Sequence, residues 1–270
     1  MNLETILAEE KRILERIKQE CVDPLGKSEV ISDGIVCPEI YVATSPRILW
    51  ILKEPYDNGD SYSDARDGGW SLTYHCMNQK TDETARNRAF QPICYIDYGI
   101  RNRIYDWNEM PWLRDCVEIR NTLKNIAYVN VSKLPGLKVS PGTRISEAYE
   151  KFRGLILDQI KTYNPNIIFA CNPHANLLLR DFGISESKWI WFDSAASIQI
   201  STEQRLVWVG HPSSRTKRAA YVNGAIKAAT ADLAEVCRAD LAIPKGLQSF
   251  SPALRGTSYA GSVPQTDHQP

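Results

Sequence analysis

Four short apolar runs, each ending in a polar or proline-containing turn, constrain this chain more than any other feature. They are RILWILKEP (47–55), NIAYVNVSK (125–133), NIIFAC (166–171) and RLVWVGHPSS (205–214). Runs this short, without alternation of apolar and polar positions, belong to strands buried on both faces. KWIWF (188–192) adds a further short strand. Helical spacing fills the intervals. Residues 2–21 place Leu3, Ile6, Leu7, Ile13, Leu14, Ile17 and Cys21 on one stripe, and helical patterning returns over 82–125 with breaks near Pro92 and Pro111. Further helices are expected over 145–163, from Pro173, and over 215–239. Strands alternating with helices predict an α/β chain, a three-layer αβα sandwich around a short, mostly parallel central sheet. With 270 residues of which 43% are hydrophobic, one domain over 1–243 is expected. The Pro-, Gly-, Ser- and Gln-rich stretch 244–270 reads as a disordered tail, and the polar stretch 57–80 as a long loop of the kind that often carries function.

In a parallel sheet, ligands sit beyond the carboxyl ends of the strands. Three polar segments lie there. KEPYD leaves Glu54 and Asp57 at the mouth of the first strand with Tyr56 between them. These are either solvated acids of a turn or carboxylates placed to orient a water beside an aromatic wall. NVSK presents Asn130, whose amide can read the edge of a base or can satisfy its own turn, and Lys133, a phosphate contact or a solvated lysine. HPSSRTKR sets His211 before Ser213 and Ser214, either of which can cap the following helix, and then gathers Arg215, Lys217 and Arg218. Cations at a helix N-terminus oppose its dipole, so they form either a basic solvated face or a seat for the phosphates of a nucleic acid. In CNPHAN (171–176), Asn172 reads as a cap and His174 as a weaker candidate.

Composition removes other classes. Lys+Arg and Asp+Glu both number 32, so a polyanion partner must be held by a local patch. The seven cysteines are scattered and form no Cys-x-x-Cys pair, which points away from zinc and disulfides and toward a reducing, cytoplasmic setting. No metal, cofactor or membrane partner is expected, since no apolar run is long enough to span a bilayer and no leader is evident. Gly-rich phosphate loops and nucleophile elbows are missing as well.

In their order along the chain, these segments resemble the uracil-DNA glycosylase superfamily. LKEPYD is similar to that family's Gly-Gln-Asp-Pro-Tyr-His element at Pro55 and Tyr56, and HPSSR to its His-Pro-Ser element at His211, Pro212 and Ser213. NIAYVNVSK looks like the strand carrying the base-reading Asn, and YNPNIIFACN like the strand before the last; the similarity covers roughly residues 46–230. The resemblance implies a uracil-DNA glycosylase-like fold and a monofunctional DNA N-glycosylase that flips a nucleotide and hydrolyses its N-glycosidic bond. It implies that His211 donates to the departing base, that Asn130 holds the base edge, that Tyr56 guards the pocket, and that Ser213, Ser214, Arg215, Lys217, Arg218 and Lys133 meet the DNA backbone. Glu54 stands where the family has its water-activating Asp, and Asp57 where it has a His. The stretch 57–80, with Trp70, Tyr62 and Tyr74, implies a wider pocket. The expected substrate is therefore a bulky modified cytosine of phage DNA, such as glucosylated hydroxymethylcytosine, with antiviral defence as the setting. Uracil repair and non-catalytic DNA binding on the same fold are the alternatives.

Overall fold

The computed structural model describes residues 2–23, 26, 28–55, 68–136, 142–171, 173–214 and 217–235. Met1–Leu233 forms one compact unit; of the second, Ala234–Pro270, only Ala234 and Glu235 are described. The expected tail boundary at 243/244 therefore lies outside the described residues.

The chain is α/β. Its strands are β1 (Gly34–Ile35), β2 (Ile48–Leu52), β3 (Ile126–Asn130), β4 (Ile167–Cys171), β5 (Ile190–Phe192), β6 (Ala195–Gln199) and β7 (Arg205–Val209). They form a seven-stranded mixed sheet in the order β1-β3-β2-β4-β7-β6-β5. The core β3-β2-β4-β7 is parallel, and β1, β6 and β5 are antiparallel additions at the edges. The four parallel strands are the four apolar runs of the sequence, and β2, β3 and β4 are buried along their whole length.

Burial on both faces follows from two helical layers. On one face Ile48, Trp50, Leu52, Ile126, Tyr128 and Phe169 meet α3 (Leu72–Asn78), α5 (Phe90–Asn102), α6 (Val117–Asn121) and α9 (Arg218–Thr230). On the other, Leu49, Ile51, Ala127, Val129 and Ile168 meet α1 (Leu3–Glu20), α2 (Pro38–Ala43), α7 (Gly142–Tyr163) and α8 (His174–Asp181). The remaining helix is α4 (Thr81–Arg86). Trp50 stacks on Phe169 at 4.3 Å between ring centroids at the centre of the sheet; truncating such a buried ring costs about 3–5 kcal/mol.

Several boundaries differ from expectation. The stretch 57–80 is not all loop, because Leu72–Asn78 is helical. Ser71 accepts the Tyr74 backbone N–H at 3.2 Å as its cap, and only Leu72 and Cys76 are buried, so two apolar positions one turn apart carried a signal too faint to register. The helical stretch 82–125 breaks into α4, α5, α6 and two 3-10 turns. Pro92 lies within the first turn of α5, where a missing N–H costs no helical bond. β6 was not foreseen: Ala195, Ala196 and Ser197 offer little apolar bulk, yet all three are fully buried, with the Ala-rich α9 packed on one face of the strand. α9 itself begins at Arg218, not 215. Lys217 stands at its N-cap with no side-chain cap, so neither Ser213 nor Ser214 caps it. Among the described residues, no helix is long and apolar enough to cross a membrane.

Candidate functional site

The parallel core delivers three predicted residues to one edge of the sheet. Asn130 ends β3 directly beside Leu52, the last residue of β2; Glu54 follows two residues later, and His211 lies two residues beyond Val209 of β7. From β3 to β7 there are three strand spacings of about 4.8 Å, so the backbones of these two strands stand about 14 Å apart.

His211 is held by its own turn. The Ser214 N–H donates to the His211 carbonyl at 2.8 Å, and the Ser213 N–H donates to His211 Nδ1 at 3.2 Å. An amide N–H can only donate, so Nδ1 carries the lone pair and the ring proton sits on Nε2. The Ser213 hydroxyl, 2.7 Å from the same Nδ1, completes the clamp as a second donor. Burial pushes the His211 pKa down to about 4, and the Lys53 charge adds to the shift. The imidazole is therefore neutral at pH 7 and retains an Nε2–H to donate. Arg218 Nη1 donates to the Pro212 carbonyl at 2.7 Å, so this cation braces the turn and commits part of its guanidinium to protein. Lys217 is exposed, as is Ser213, while Ser214 is half-buried.

Asn130 is 1% exposed. Its backbone N–H donates to Asp33 Oδ2 at 2.6 Å, which fixes the strand end, while its side-chain Nδ2 is buried without a hydrogen-bond partner. A buried amide donor left open costs about 1–3 kcal/mol, so it marks either strain or a place for a ligand's acceptor. The Glu54 side chain is 2% exposed, with Oε2 3.7 Å from Arg144 Nε. Gly136 lies against it, and a Cβ at that position would overlap the Glu54 side chain. Trp70 is half-buried and meets His75 edge-on at 5.7 Å. His75, Phe90 and Tyr128 continue that aromatic wall at 5.9 and 6.1 Å, ending on β3 two residues before Asn130.

One expectation is overturned. Lys133 is not a phosphate contact, because it is completely buried. Its ammonium donates to Asp33 Oδ1 and Oδ2 at 2.8 and 2.7 Å and to Gln159 Oε1 at 3.0 Å. Gln159 Nε2 then reaches Asp33 Oδ1 at 3.0 Å and the Tyr163 hydroxyl at 3.2 Å, and Tyr163 bonds Glu10. Glu10 Oε1 accepts the Ile35 N–H at 3.1 Å, and burial raises its pKa to about 7. The lysine completes an internal network that anchors the backbone of Asn130 from behind. Tyr56, Asp57, Asn172 and Arg215 lie outside the described residues.

Lys53 is the residue that the sequence reading missed. It directly follows β2, and its charge reaches both His211 and His174. A cation one residue before Glu54, at the end of the central strand, was the available signal. Together these side chains offer a neutral donor, a nearby positive charge, an open amide and a carboxylate at the carboxyl ends of the parallel strands. That set can accept a planar heterocycle and stabilise negative charge developing on it. Among the described residues, no group of three or more His, Cys, Asp or Glu is arranged to hold a metal ion. No protein-family model and no curated protein matches the chain, so the functional reading stands on this geometry and on the motifs that compose it.

Proposed function

We propose that the protein is a monofunctional DNA N-glycosylase that excises a modified pyrimidine, with a bulky modified cytosine of phage DNA as the favoured substrate. The observation that carries the reading is the state of His211: neutral, its Nδ1 occupied by Ser213, its Nε2–H left to donate at the mouth of a parallel sheet. In this reading the flipped base enters between Asn130 and His211. Asn130 Nδ2 donates to an acceptor on the base edge, which relieves the open donor. As the N-glycosidic bond breaks, its electron pair passes to the base; His211 Nε2–H donates to the base oxygen where charge collects, and Lys53 supports that charge. Glu54 orients the water that adds to the sugar carbon and takes up its proton. The products are a free base and an abasic site. Exposed Lys217 meets the DNA backbone, with Ser213 and Ser214 near it.

The test is incubation with oligonucleotides carrying either uracil or glucosylated hydroxymethylcytosine, scoring alkali-sensitive abasic sites and weighing the released base. Release of the glucosylated base supports the reading. Release of uracil alone moves the enzyme to repair, and retention of every base with DNA still bound leaves a non-catalytic binder.

A further inference from the structure

The buried network behind Asn130 holds charges that do not balance. Two carboxylates, Glu10 and Asp33, share one fully buried ammonium, that of Lys133. Asp33 takes all of that ammonium's attention. It accepts from Lys133 through both oxygens, from Gln159 Nε2 and from the Asn130 N–H. An ammonium has three protons, and those of Lys133 go to Asp33 Oδ1, Asp33 Oδ2 and Gln159 Oε1. None is left for Glu10, which must be satisfied by neutral donors.

Those donors are the Ile35 N–H, 3.1 Å from Glu10 Oε1, and the Tyr163 hydroxyl. Glu10 Oε2 is buried with no hydrogen-bond partner, and so is the hydroxyl of Tyr41 on α2, which feels the Glu10 charge. The other ionisable groups facing Glu10 are Tyr163 from α7, Asp33 from the segment before β1 and Lys133 from the turn after β3. A carboxylate with a bare buried oxygen is costly, whereas a proton on Oε2 makes the whole cluster neutral. Burial accordingly raises the Glu10 pKa to about 7, against the Tyr163 and Ile35 bonds that lower it and with the Asp33 charge adding to the rise.

Glu10 reaches Asn130 by two routes. Gly34, next to Asp33 in the chain, packs so closely that a Cβ there would overlap Glu10 Oε1 and lie 2.8 Å from the Tyr163 hydroxyl. The second route is the hydrogen-bonded series Glu10–Tyr163–Gln159–Asp33. Both end on the carboxylate that fixes the Asn130 N–H at 2.6 Å. We infer that Glu10 is a positioning residue for Asn130: its neutral carboxyl keeps Asp33 seated on the strand end, and its ionisation slackens that seat. An ionised Glu10 puts a second anion beside Asp33, and Lys133 can answer it only by releasing a bond to Asp33 or Gln159. The Asn130 amide is then held less firmly, and base binding weakens as pH rises through the Glu10 titration. That last step rests on the reading that Asn130 meets the base; the coupling between Glu10 and Asn130 does not.

The experiment follows the Asn130 backbone amide and the Glu10 carboxyl carbon by NMR from about pH 5.5 to about 8.5. In the wild type both signals should move together with one midpoint near 7. Glu10→Gln imitates the neutral acid and should hold the Asn130 signal at its low-pH position throughout. Tyr163→Phe removes a donor to the carboxylate and cuts the second route. It should raise the Glu10 midpoint and shrink the Asn130 response by about half or more. An Asn130 signal that ignores the Glu10 titration, or that titrates unchanged in Glu10→Gln, overturns the inference, since a merely structural Glu10 gives that result. For the base released in the incubation above, KM should rise about three- to tenfold over the same range in the wild type and stay level in Glu10→Gln. A level wild-type KM overturns the positioning role as well. Linked NMR signals in a protein that releases no base uphold the coupling and remove the glycosylase.

Discussion

Two histidines follow neighbouring parallel strands, His174 after β4 and His211 after β7, and burial pushes both down to about pKa 4. Their surroundings separate them. His174 is completely buried, and its Nε2 is enclosed between two backbone groups, 2.7 Å from the Ile51 carbonyl and 3.0 Å from the Cys171 N–H. That nitrogen is thus engaged inside the protein, between β4 and β2. In His211, Nδ1 accepts from Ser213 and the Nε2 proton is left to donate. A depressed pKa marks burial in both; the partners decide what each imidazole can do. The same contrast separates buried Lys133 from exposed Lys217.

The largest expected effect tests the closed side of that contrast. Lys133→Met strips Asp33 of its counter-charge where both side chains are fully buried, and should cost about 3–5 kcal/mol in denaturant unfolding. The salt dependence of DNA binding by whatever remains folded should not change. A variant of normal stability with weakened DNA binding would put Lys133 back at the interface. His211→Ala should do the reverse. It should lower kcat about 10²–10³-fold, the usual cost of one donor to a developing anion, with Tm nearly unchanged. If Tm falls sharply while the residual rate stays high, His211 is structural like His174.

How legible these roles were depended on whether the neighbours were local. The four parallel strands could be read from sequence because burial on both faces writes itself as an apolar run, and the placement of Glu54, Asn130 and His211 at the ends of those strands followed from it. The clamp on His211 was legible too, since Ser213 lies two residues away. Lys133 was misread because its partner, Asp33, is 100 residues distant, and no local pattern announces a buried ion pair. β6 and α3 escaped for a related reason: Ala195, Ala196 and Ser197 are buried by what packs on them rather than by their own bulk, and α3 buries only Leu72 and Cys76.

A smaller pair of effects sharpens the comparison through pH. For each histidine the native pKa is depressed below the ordinary 6.5, so the unfolded state binds more protons between about 4 and 6.5. Stability is therefore full above 6.5, declines as pH falls toward 4 and levels off below, and His174 accounts for up to about 3 kcal/mol of that decline. His174→Gln should lose about 1–3 kcal/mol at pH 7 through the Ile51 contact and should flatten the slope, seen in urea melts at pH 5 and 7. Catalysis should follow His211 instead. In wild type, kcat should stay level from pH 7 to about 5 and fall near 4; a break near 6.5 would mean that burial and the Lys53 charge do not hold the imidazole neutral.

The smallest effect concerns the open cation. Lys217 is exposed at the head of α9, where its charge opposes the helix dipole and has no ion-pair partner among the described residues. Contact with a phosphate would account for its placement. Lys217→Ala should leave Tm unchanged or slightly raised. It should weaken binding to all DNA sequences by about 1 kcal/mol or less, and lower the slope of log affinity against log salt by about one. An unchanged slope would make Lys217 a solvated lysine and leave the backbone contacts to other residues of the turn. The contrast between β4 and β7 would then rest on His211 alone.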